Sequence, residues 1–153
     1  VIPFAAMIVR RDLDLAPEKG LGHYTHEKNP VAAAAALATI AVIEDEELVD
    51  RSRKLGAHML TRLSALRDAH ELVGDVRGVG LLTGLDLVRN RNTKERAVDA
   101  ADRLMYACLS RGLSFKTSQG SFIPLSPPLN IARTDLDAAL DILTESLAEV
   151  AAV

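Results

Sequence analysis

The sequence predicts an α/β fold in which helices cover a small sheet. Two apolar stripes with helical spacing, over about 46–67 and 134–150, enclose an apolar run at 81–88 that lacks this period. The run 81–88 follows several glycines and predicts a strand covered on both faces. In chain order the predicted elements are helix, helix, strand, helix, two short strands and helix, which is the pattern of one layered domain.

Length and composition narrow the class of protein. The 153 residues are enough for one domain, or most of one, with its own core. Apolar residues make up 48%, charged residues 25%, and the net charge is −3, so no basic face for nucleic acid is expected. The apolar run 1–9 is too short to span a bilayer, and basic residues follow it, which is the wrong order for a secretory signal. We therefore expect a cytoplasmic protein that binds neither membrane nor nucleic acid.

The N-terminal part predicts a strand, a loop and a buried helix. The run 1–9 resembles a strand already under way, as in a chain whose N-terminal part is missing. The loop 15–28 contains Pro17 and Gly20, and the pair Asn29-Pro30 then favours a helix start. The helix 30–45 is apolar nearly all round, which predicts burial between two layers. A second, amphipathic helix is expected from about Glu46, with one apolar stripe. Its members are Leu48, Leu55, Met59, Leu63 and Leu66.

The segment 77–112 is predicted to contain two turns and a helix. The segment "RGVG" at 77–80 precedes a strand rather than opening a helix, so it predicts a turn with close backbone packing and not a phosphate loop. A turn is expected at 90–92. Asn92 followed by Glu95 resembles a capping box, which predicts a helix from there to Arg111-Gly112.

The C-terminal part predicts a hairpin and a last helix. Two short strands over 113–126 are expected to turn at Gln119-Gly120. Pro124 predicts that the second strand is an edge strand or an irregular one. Thr134 is the expected cap of a final helix whose apolar stripe runs to Val150.

Residue patterns alone give few candidates for chemistry. The stretch "HYTHEKNP" at 23–30 is either a polar loop with a helix cap or part of a site. Its histidines lack partners at metal-ligand spacing, so no metal site is predicted. Cys108 has helical spacing to Leu104 and is interpreted as a small buried hydrophobe. Asp75 and Arg77 are expected to bond locally, to bond across a subunit boundary, or to form a solvated pair.

Four blocks then carry a family resemblance that covers nearly the whole chain. They are "T-x-x-x-N-P" with its alanine-rich helix, "GDVRGVGLLTGLDLVRN", the adjoining "TKE", and "LSPPLNIARTDLDAALDIL". In this order they resemble the C-terminal part of class III (ω-type, fold type I) pyridoxal-phosphate-dependent aminotransferases. Within that class the sequence is most similar to the branch with dialkylglycine decarboxylase and 4-aminobutyrate or ornithine aminotransferases.

The resemblance implies a domain organisation. Residues 1–27 would be the tail end of the large cofactor-binding domain with the interdomain loop. Residues 28–153 would be the small C-terminal domain with its connecting helix, a mainly antiparallel sheet covered by helices. The lysine that forms the Schiff base would lie upstream of Val1, and no lysine of this chain matches it. The resemblance thus implies that this chain alone is catalytically inactive.

The resemblance also implies roles for individual residues. Thr25, four positions before Asn29, would donate its hydroxyl to the phosphate of pyridoxal 5'-phosphate in the neighbouring subunit, so a homodimer or dimer of dimers is expected. His26 would line the same pocket and contact substrate. Where many members carry an arginine that binds the substrate α-carboxylate, this sequence has Pro124. Lys116 and Gln119 are the candidate substitutes.

The implied activity is transfer of an amino group from an amine or ω-amino acid to a 2-oxo acid, with the cofactor as electron sink. The same scaffold also supports decarboxylation, racemisation and elimination. A lyase or decarboxylase therefore remains an alternative, with a lyase acting on a phosphonate- or phosphate-bearing amine favoured by Pro124. A second alternative is a non-catalytic dimerisation or binding module.

Overall fold

Residues 3–16, 18–20 and 28–152 are described by the computed structural model of the chain. The chain divides into two units, Val1–Glu47 and Leu48–Val153. The domain boundary implied by the resemblance, between residues 27 and 28, remains a prediction.

The first unit contains helix α1 (Pro30–Asp45), whose predicted start is confirmed. The side chain of Asn29 accepts hydrogen bonds from the amides of Val31 at 2.9 Å and Ala32 at 3.4 Å. Pro30 occupies the first helical position, where no amide is needed. Asparagine and proline therefore determine this helix start locally.

Two expectations for the first unit are wrong. The predicted strand is not formed over the described residues 3–9, and a short 3-10 turn, Arg11–Leu13, follows them. A strand needs a partner for its amides, and the described part of this unit contains no strand. The predicted burial of α1 is not found either. Among its described residues only Ala32 is buried, whereas Leu37 and Ile40 are exposed.

In the second unit, helix α2 (Leu48–Ala69) and helix α4 (Arg133–Ala151) bury the predicted apolar stripes. Helix α3 (Val98–Ser110) contributes a third buried face. Leucines dominate the interface, and four of them are at most 1% exposed. These are Leu63, Leu104, Leu143 and Leu147. The helical period of the sequence thus predicted the core correctly.

The sheet is antiparallel, with four strands arranged around a central one. The strands are β1 (Val73–Val79), β2 (Leu82–Asn90), β3 (Glu95–Arg96) and β4 (Phe122–Leu125). Strand β2 pairs with β1 on one side. On its other side, β4 pairs with the first half of β2 and β3 with the second half. The predicted strand at 81–88 is therefore β2.

Strand β1 was not predicted as a strand, because its glycines indicated a turn. The turn is confined to the end of "RGVG", where Gly80 has a φ of +55° and joins β1 to β2. The close backbone packing predicted there is confirmed: a Cβ placed on Gly56 of α2 would fall 2.6 Å from Gly80 Cα. The turn therefore packs directly on the helix backbone.

The predicted capping box at Asn92 and Glu95 is wrong. The side chain of Asn90 accepts from the amides of Asn92 and Thr93, at 2.8 and 3.1 Å, and closes a turn. Glu95 then lies in β3, and α3 begins at Val98. Pairing with β2 thus replaces the local cap. The predicted helix end at Arg111 is confirmed, with Gly112 at a φ of +92°.

The last predicted cap and the first strand of the hairpin also differ. Helix α4 begins at Arg133 after Ala132, one residue before Thr134. The turn at Gln119-Gly120 is confirmed, with φ angles of +50° and +87°. The first strand of the predicted hairpin is wrong: in this described segment it is reduced to a single bridge between Ser118 and Phe122. The pairing stops there because the next residue on that edge is Pro124, which has no amide hydrogen. Pro124 thereby makes β4 end the sheet, as predicted.

Candidate functional site

The resemblance assigns Thr25 to the cofactor and His26 to the substrate pocket. Thr25 and His26 lie outside the described residues, and so do His23, Tyr24 and Glu27. Their roles remain predictions.

The start of helix α1 tests whether described residues can hold a phosphate. Pro30 has no amide hydrogen, and the amides of Val31 and Ala32 already bind the side chain of Asn29. The amide of Ala33 donates to the carbonyl of Asn29 at 3.0 Å. The first turn therefore offers no unpaired amide to an anion, unlike the usual phosphate-binding helix start. A phosphate contact near this helix would therefore have to come from residues before it, such as the predicted Thr25 hydroxyl.

Pro124, the position at which the resemblance implies an arginine in many family members, lies on the face of the sheet opposite the core. In β4, Ile123 and Leu125 face the core, so Phe122 and Pro124 face the other way. We call this second face the outer face. Across the sheet, Pro124 is in register with Gly84 of β2, and Gly84 is in register with Arg77 of β1. These three residues form one row on the outer face.

Arg77 is held over this row by two contacts. Its Nη1 donates to Asp75 Oδ2 at 2.6 Å, so the local pair is the arrangement found. Its guanidinium carbon lies 4.7 Å from the centroid of the Phe122 ring. The ring lies above Gly84, where a Cβ would come within 2.7 Å of Phe122 Cε2. Gly84 thus makes room for the ring that supports Arg77.

Sequence reasoning did not assign Arg77 to a site. The spacing "D-V-R" places Asp75 and Arg77 on one side of an extended segment, and that signal was available. The contact with Phe122 depends on the β1–β2–β4 register, which joins residues about 45 positions apart. No local pattern carries that information.

A cavity of about 290 Å³ adjoins Arg77. Its charged lining residues are three cations and two carboxylates, a formal excess of one positive charge. They are Arg77, Arg91, Lys94, Asp75 and Asp86. Asp86 also accepts a hydrogen bond from the Ser121 hydroxyl at 3.1 Å.

Arg91 has a structural role in this cavity. Its guanidinium donates to the carbonyls of Arg67 and His70 at the end of α2, the latter at 2.9 Å, and to the carbonyl of Val73 at 3.2 Å. These contacts satisfy carbonyls that a helix end leaves without partners. Arg91 therefore links the C-terminal end of α2 to the start of β1.

Lys116 and Gln119, the candidate substitutes for the missing arginine, are placed differently. Lys116 lines a second cavity, of about 530 Å³, together with Pro124. Gln119 is at the turn, where its carbonyl and side-chain oxygens accept from Arg96 at 2.9 and 3.4 Å. The structure thus brings Lys116 to the cavity at Pro124, while Gln119 is occupied by Arg96.

The larger cavity is mainly apolar. It lies between α2, α4 and the segment around β4, and its walls include Met59, Leu136 and Leu140. Such a lining suits an apolar group better than a charged one.

A cluster of His58, Asp137 and Arg133 joins α2 to α4, and the sequence analysis did not identify it. Nε2 of His58 lies 2.5 Å from Asp137 Oδ1, and Arg133 approaches both residues. The hydrogen bond with His58 lowers the pKa of Asp137 below its ordinary value, with Arg133 adding to the effect. His58 and Asp137 are 79 residues apart in the sequence, so no local pattern indicates their contact.

The remaining chemical candidates are few. Cys108 is fully buried, as predicted, and burial raises the pKa of its thiol, which disfavours the reactive thiolate. Within the described ranges, no group of three His, Cys, Asp or Glu side chains could hold a metal ion. No described helix is both long and apolar enough to cross a membrane.

Known proteins are similar to this chain over nearly its whole length. The family model for class-III aminotransferases matches residues 2–147. The chain is 45% identical over 150 residues to (R)-1-hydroxy-2-aminoethylphosphonate ammonia-lyase of Vibrio splendidus, covering 98% of this chain and 31% of that protein. It is 42% identical to a leucine/methionine racemase of Thermococcus litoralis, covering 97% and 34%. A 4-aminobutyrate aminotransferase of Mycobacterium tuberculosis is 36% identical, with 97% and 33% covered.

Solved structures match the fold. A transaminase from the marine bacterium Virgibacillus has a TM-score of 0.78 at 31% identity, covering 88% of this chain and 33% of that one. Acetylornithine aminotransferase from Elizabethkingia anophelis has a TM-score of 0.74 at 31% identity, covering 86% and 31%. The antiparallel sheet with its covering helices therefore matches the corresponding part of these enzymes, as predicted. The chain spans about a third of the length of the curated relatives it matches.

Proposed function

The chain belongs to the class-III aminotransferase family, and on that premise we propose that it is the C-terminal part of a pyridoxal-phosphate-dependent aminotransferase. The full-length enzyme would transfer an amino group from an amine or ω-amino acid to a 2-oxo acid. The observation that carries this proposal is the family match over residues 2–147. The match to about a third of each curated relative supports the assignment to one part of a longer enzyme.

The cofactor would supply an electron sink for the bond that breaks next to the amino group. Within this chain, Thr25 would donate its hydroxyl to the cofactor phosphate of the neighbouring subunit. This role requires a homodimer or a larger assembly. His26 and Lys116 would contact substrate, and Lys116 is supported by its position beside Pro124 at the larger cavity. Gln119 is the weaker candidate because Arg96 already binds it.

The chain by itself would be inactive, since the lysine that binds the cofactor lies upstream in the resemblance. The cytoplasmic location inferred from the sequence also remains a prediction.

A lyase is the second candidate function. It is favoured by two observations: Pro124 cannot bind a carboxylate as an arginine would, and a relative 45% identical is named an ammonia-lyase acting on an aminophosphonate. An elimination would release ammonia without any 2-oxo acid acceptor. The reactions therefore differ in their products.

The test is a product analysis of the full-length enzyme with pyridoxal phosphate. Amines, ω-amino acids, phosphonate-bearing amines and chiral α-amino acids are incubated with and without a 2-oxo acid, and ammonia, new amino acids and amino acid enantiomers are quantified. Formation of a new amino acid that depends on the 2-oxo acid is the expected result. Ammonia release without an acceptor would instead establish the lyase, and inversion of an amino acid stereocentre would establish a racemase.

A further inference from the structure

We propose that Arg77 binds the acidic group of the substrate, a carboxylate or a phosphonate, from strand β1. This inference rests on the proposed function and specifies its substrate class: amines that carry an oxyanion. Arg77 would thereby supply, from two strands away, the cation that Pro124 cannot supply.

Arg77 and Pro124 lie in the same row on the outer face. Arg77, Gly84 and Pro124 are successive partners across β1, β2 and β4. With neighbouring strands about 4.8 Å apart, the Cα atoms of Arg77 and Pro124 are separated by roughly 10 Å. Gly84, between them, has no side chain, and the Phe122 ring occupies the space above it.

The Arg77 side chain is directed towards the Phe122 ring. Its guanidinium already lies 4.7 Å from the ring centroid of Phe122, a residue of β4. Because that ring lies above Gly84 of β2, the Arg77 side chain reaches towards β2, on the side of the strand that contains Pro124. At this distance the ring attracts the guanidinium through a cation–π contact and helps to hold it in place.

Arg77 retains hydrogen-bonding capacity for a ligand. Asp75 accepts from Nη1, and no acceptor among the described residues is recorded for Nε or Nη2. These two donors point along one edge of the guanidinium, which is the edge that binds an oxyanion through two parallel hydrogen bonds. The side chain is 55% exposed, so a ligand can reach it.

The charge around Arg77 also bears on the ligand. In the adjoining cavity Asp75 already pairs with Arg77, and Asp86 accepts from Ser121. Arg91 is bound by backbone carbonyls, whereas Lys94 contributes a further cation to the lining. The formal excess of one positive charge favours an anionic ligand over a cationic one.

The experiment compares variants of the full-length, cofactor-loaded enzyme. Arg77→Gln removes the charge, and Arg77→Lys keeps the charge but removes the planar fork. Arg89→Gln is the matched control, because Arg89 is 56% exposed and paired with Asp99, yet belongs to no row with Pro124. KM and kcat are measured for 4-aminobutyrate against butylamine, and for 2-aminoethylphosphonate against ethylamine. Binding of the unreactive probes butanoate and ethylphosphonate is measured by calorimetry.

We expect Arg77→Gln to raise KM for the acid-bearing donors, and Kd for the probes, at least tenfold, with kcat within about twofold. Arg77→Lys should fall between wild type and Arg77→Gln, and Arg89→Gln should match wild type. Whichever probe, butanoate or ethylphosphonate, shows the larger increase in Kd in Arg77→Gln identifies carboxylate or phosphonate as the preferred group. Unchanged probe binding in Arg77→Gln would overturn the inference, and so would an equal loss for neutral and acidic amines. A failure of the proposed function is separate, because it would appear as absence of a cofactor-modified lysine in the wild-type enzyme.

Discussion

Gly56 of α2 lies directly against Gly80 of the β1–β2 turn, so that a Cβ on Gly56 would fall 2.6 Å from Gly80 Cα and closer still to its carbonyl. The backbones of the two glycines are in direct contact, and the nearest atoms of Gly80 are backbone atoms that cannot move aside as a flexible side chain could. The contact holds the hairpin of β1 and β2 on helix α2, and with it the outer face that carries Arg77.

Gly56→Ala should therefore destabilise the protein. Alanine gains about 1 kcal/mol of helix propensity over glycine, but overpacking against a fixed backbone costs typically 1–3 kcal/mol and more when neither side can move. We expect a net loss of about 2 kcal/mol, measured by thermal unfolding of the full-length protein. The control is Ala57→Gly at the adjacent exposed position, which reports helix propensity alone. A Gly56→Ala protein more stable than wild type would contradict the packing described.

Arg91→Ala should loosen the end of helix α2. The substitution leaves the carbonyls of Arg67, His70 and Val73 without their guanidinium donor. A loss of about 1–3 kcal/mol is expected. Hydrogen exchange of peptides covering 66–76 should accelerate, while α4 stays protected. Arg67→Ala is the control, because Arg67 binds only the neighbouring Asp68 through its side chain in the described residues. Equal rates of hydrogen exchange over 66–76 in Arg91→Ala and Arg67→Ala would contradict the role of Arg91 in capping α2.

The contact between His58 and Asp137 should make stability fall in acid. A carboxyl group whose pKa is lower in the folded chain stabilises the fold above its unfolded pKa, and this contribution is lost as pH falls through the folded pKa. For Asp137 the loss should occur below its ordinary pKa of 3.8. We expect wild type to exceed Asp137→Asn in Tm at neutral pH and the two curves to converge below that value.

The control for this prediction is Asp141→Asn, which removes a more exposed carboxylate, 62% accessible, from the same helix. It should change the Tm less than Asp137→Asn at neutral pH. A Tm difference between wild type and Asp137→Asn that is independent of pH would argue against a charge effect.

Thr25→Ala in the full-length enzyme should weaken retention of pyridoxal phosphate. Loss of a hydrogen bond to a charged group costs on the order of 1.5 to 3 kcal/mol, or about a tenfold to hundredfold change in Kd. Cofactor release is followed by its absorbance during dialysis. Thr39→Ala is the control, because the Thr39 hydroxyl donates to Ala35 within α1. Unchanged affinity in Thr25→Ala would remove the assignment of Thr25.

Sequence was sufficient where the deciding interaction is local. Asn29 and Pro30 determine the start of α1 within one turn, and Gln119-Gly120 forms the predicted turn because both positions adopt positive φ. The leucine stripes predicted the core because a helix has a fixed period. Where pairing partners come from elsewhere, local rules failed: Glu95 joins β3 instead of capping a helix.

The site was predicted less completely than the fold, for the same reason. Thr25 and Pro124 were identified by resemblance, which carries positional information that single residues lack. Arg77 required the register of three strands and the absence of a side chain at Gly84. The exposure of the apolar helix α1 shows that composition indicates a tendency to be buried, not the partner that buries it.

The most direct test of the central claim is to reduce the full-length protein with borohydride in the presence of pyridoxal phosphate and to map the modified peptide by mass spectrometry. We expect a single pyridoxyl-lysine upstream of the segment that begins at Val1, and no modification of Lys19, Lys28 or any other lysine of this chain. A folded protein with no modified lysine, or with the modification at a lysine within residues 1–153, would contradict it.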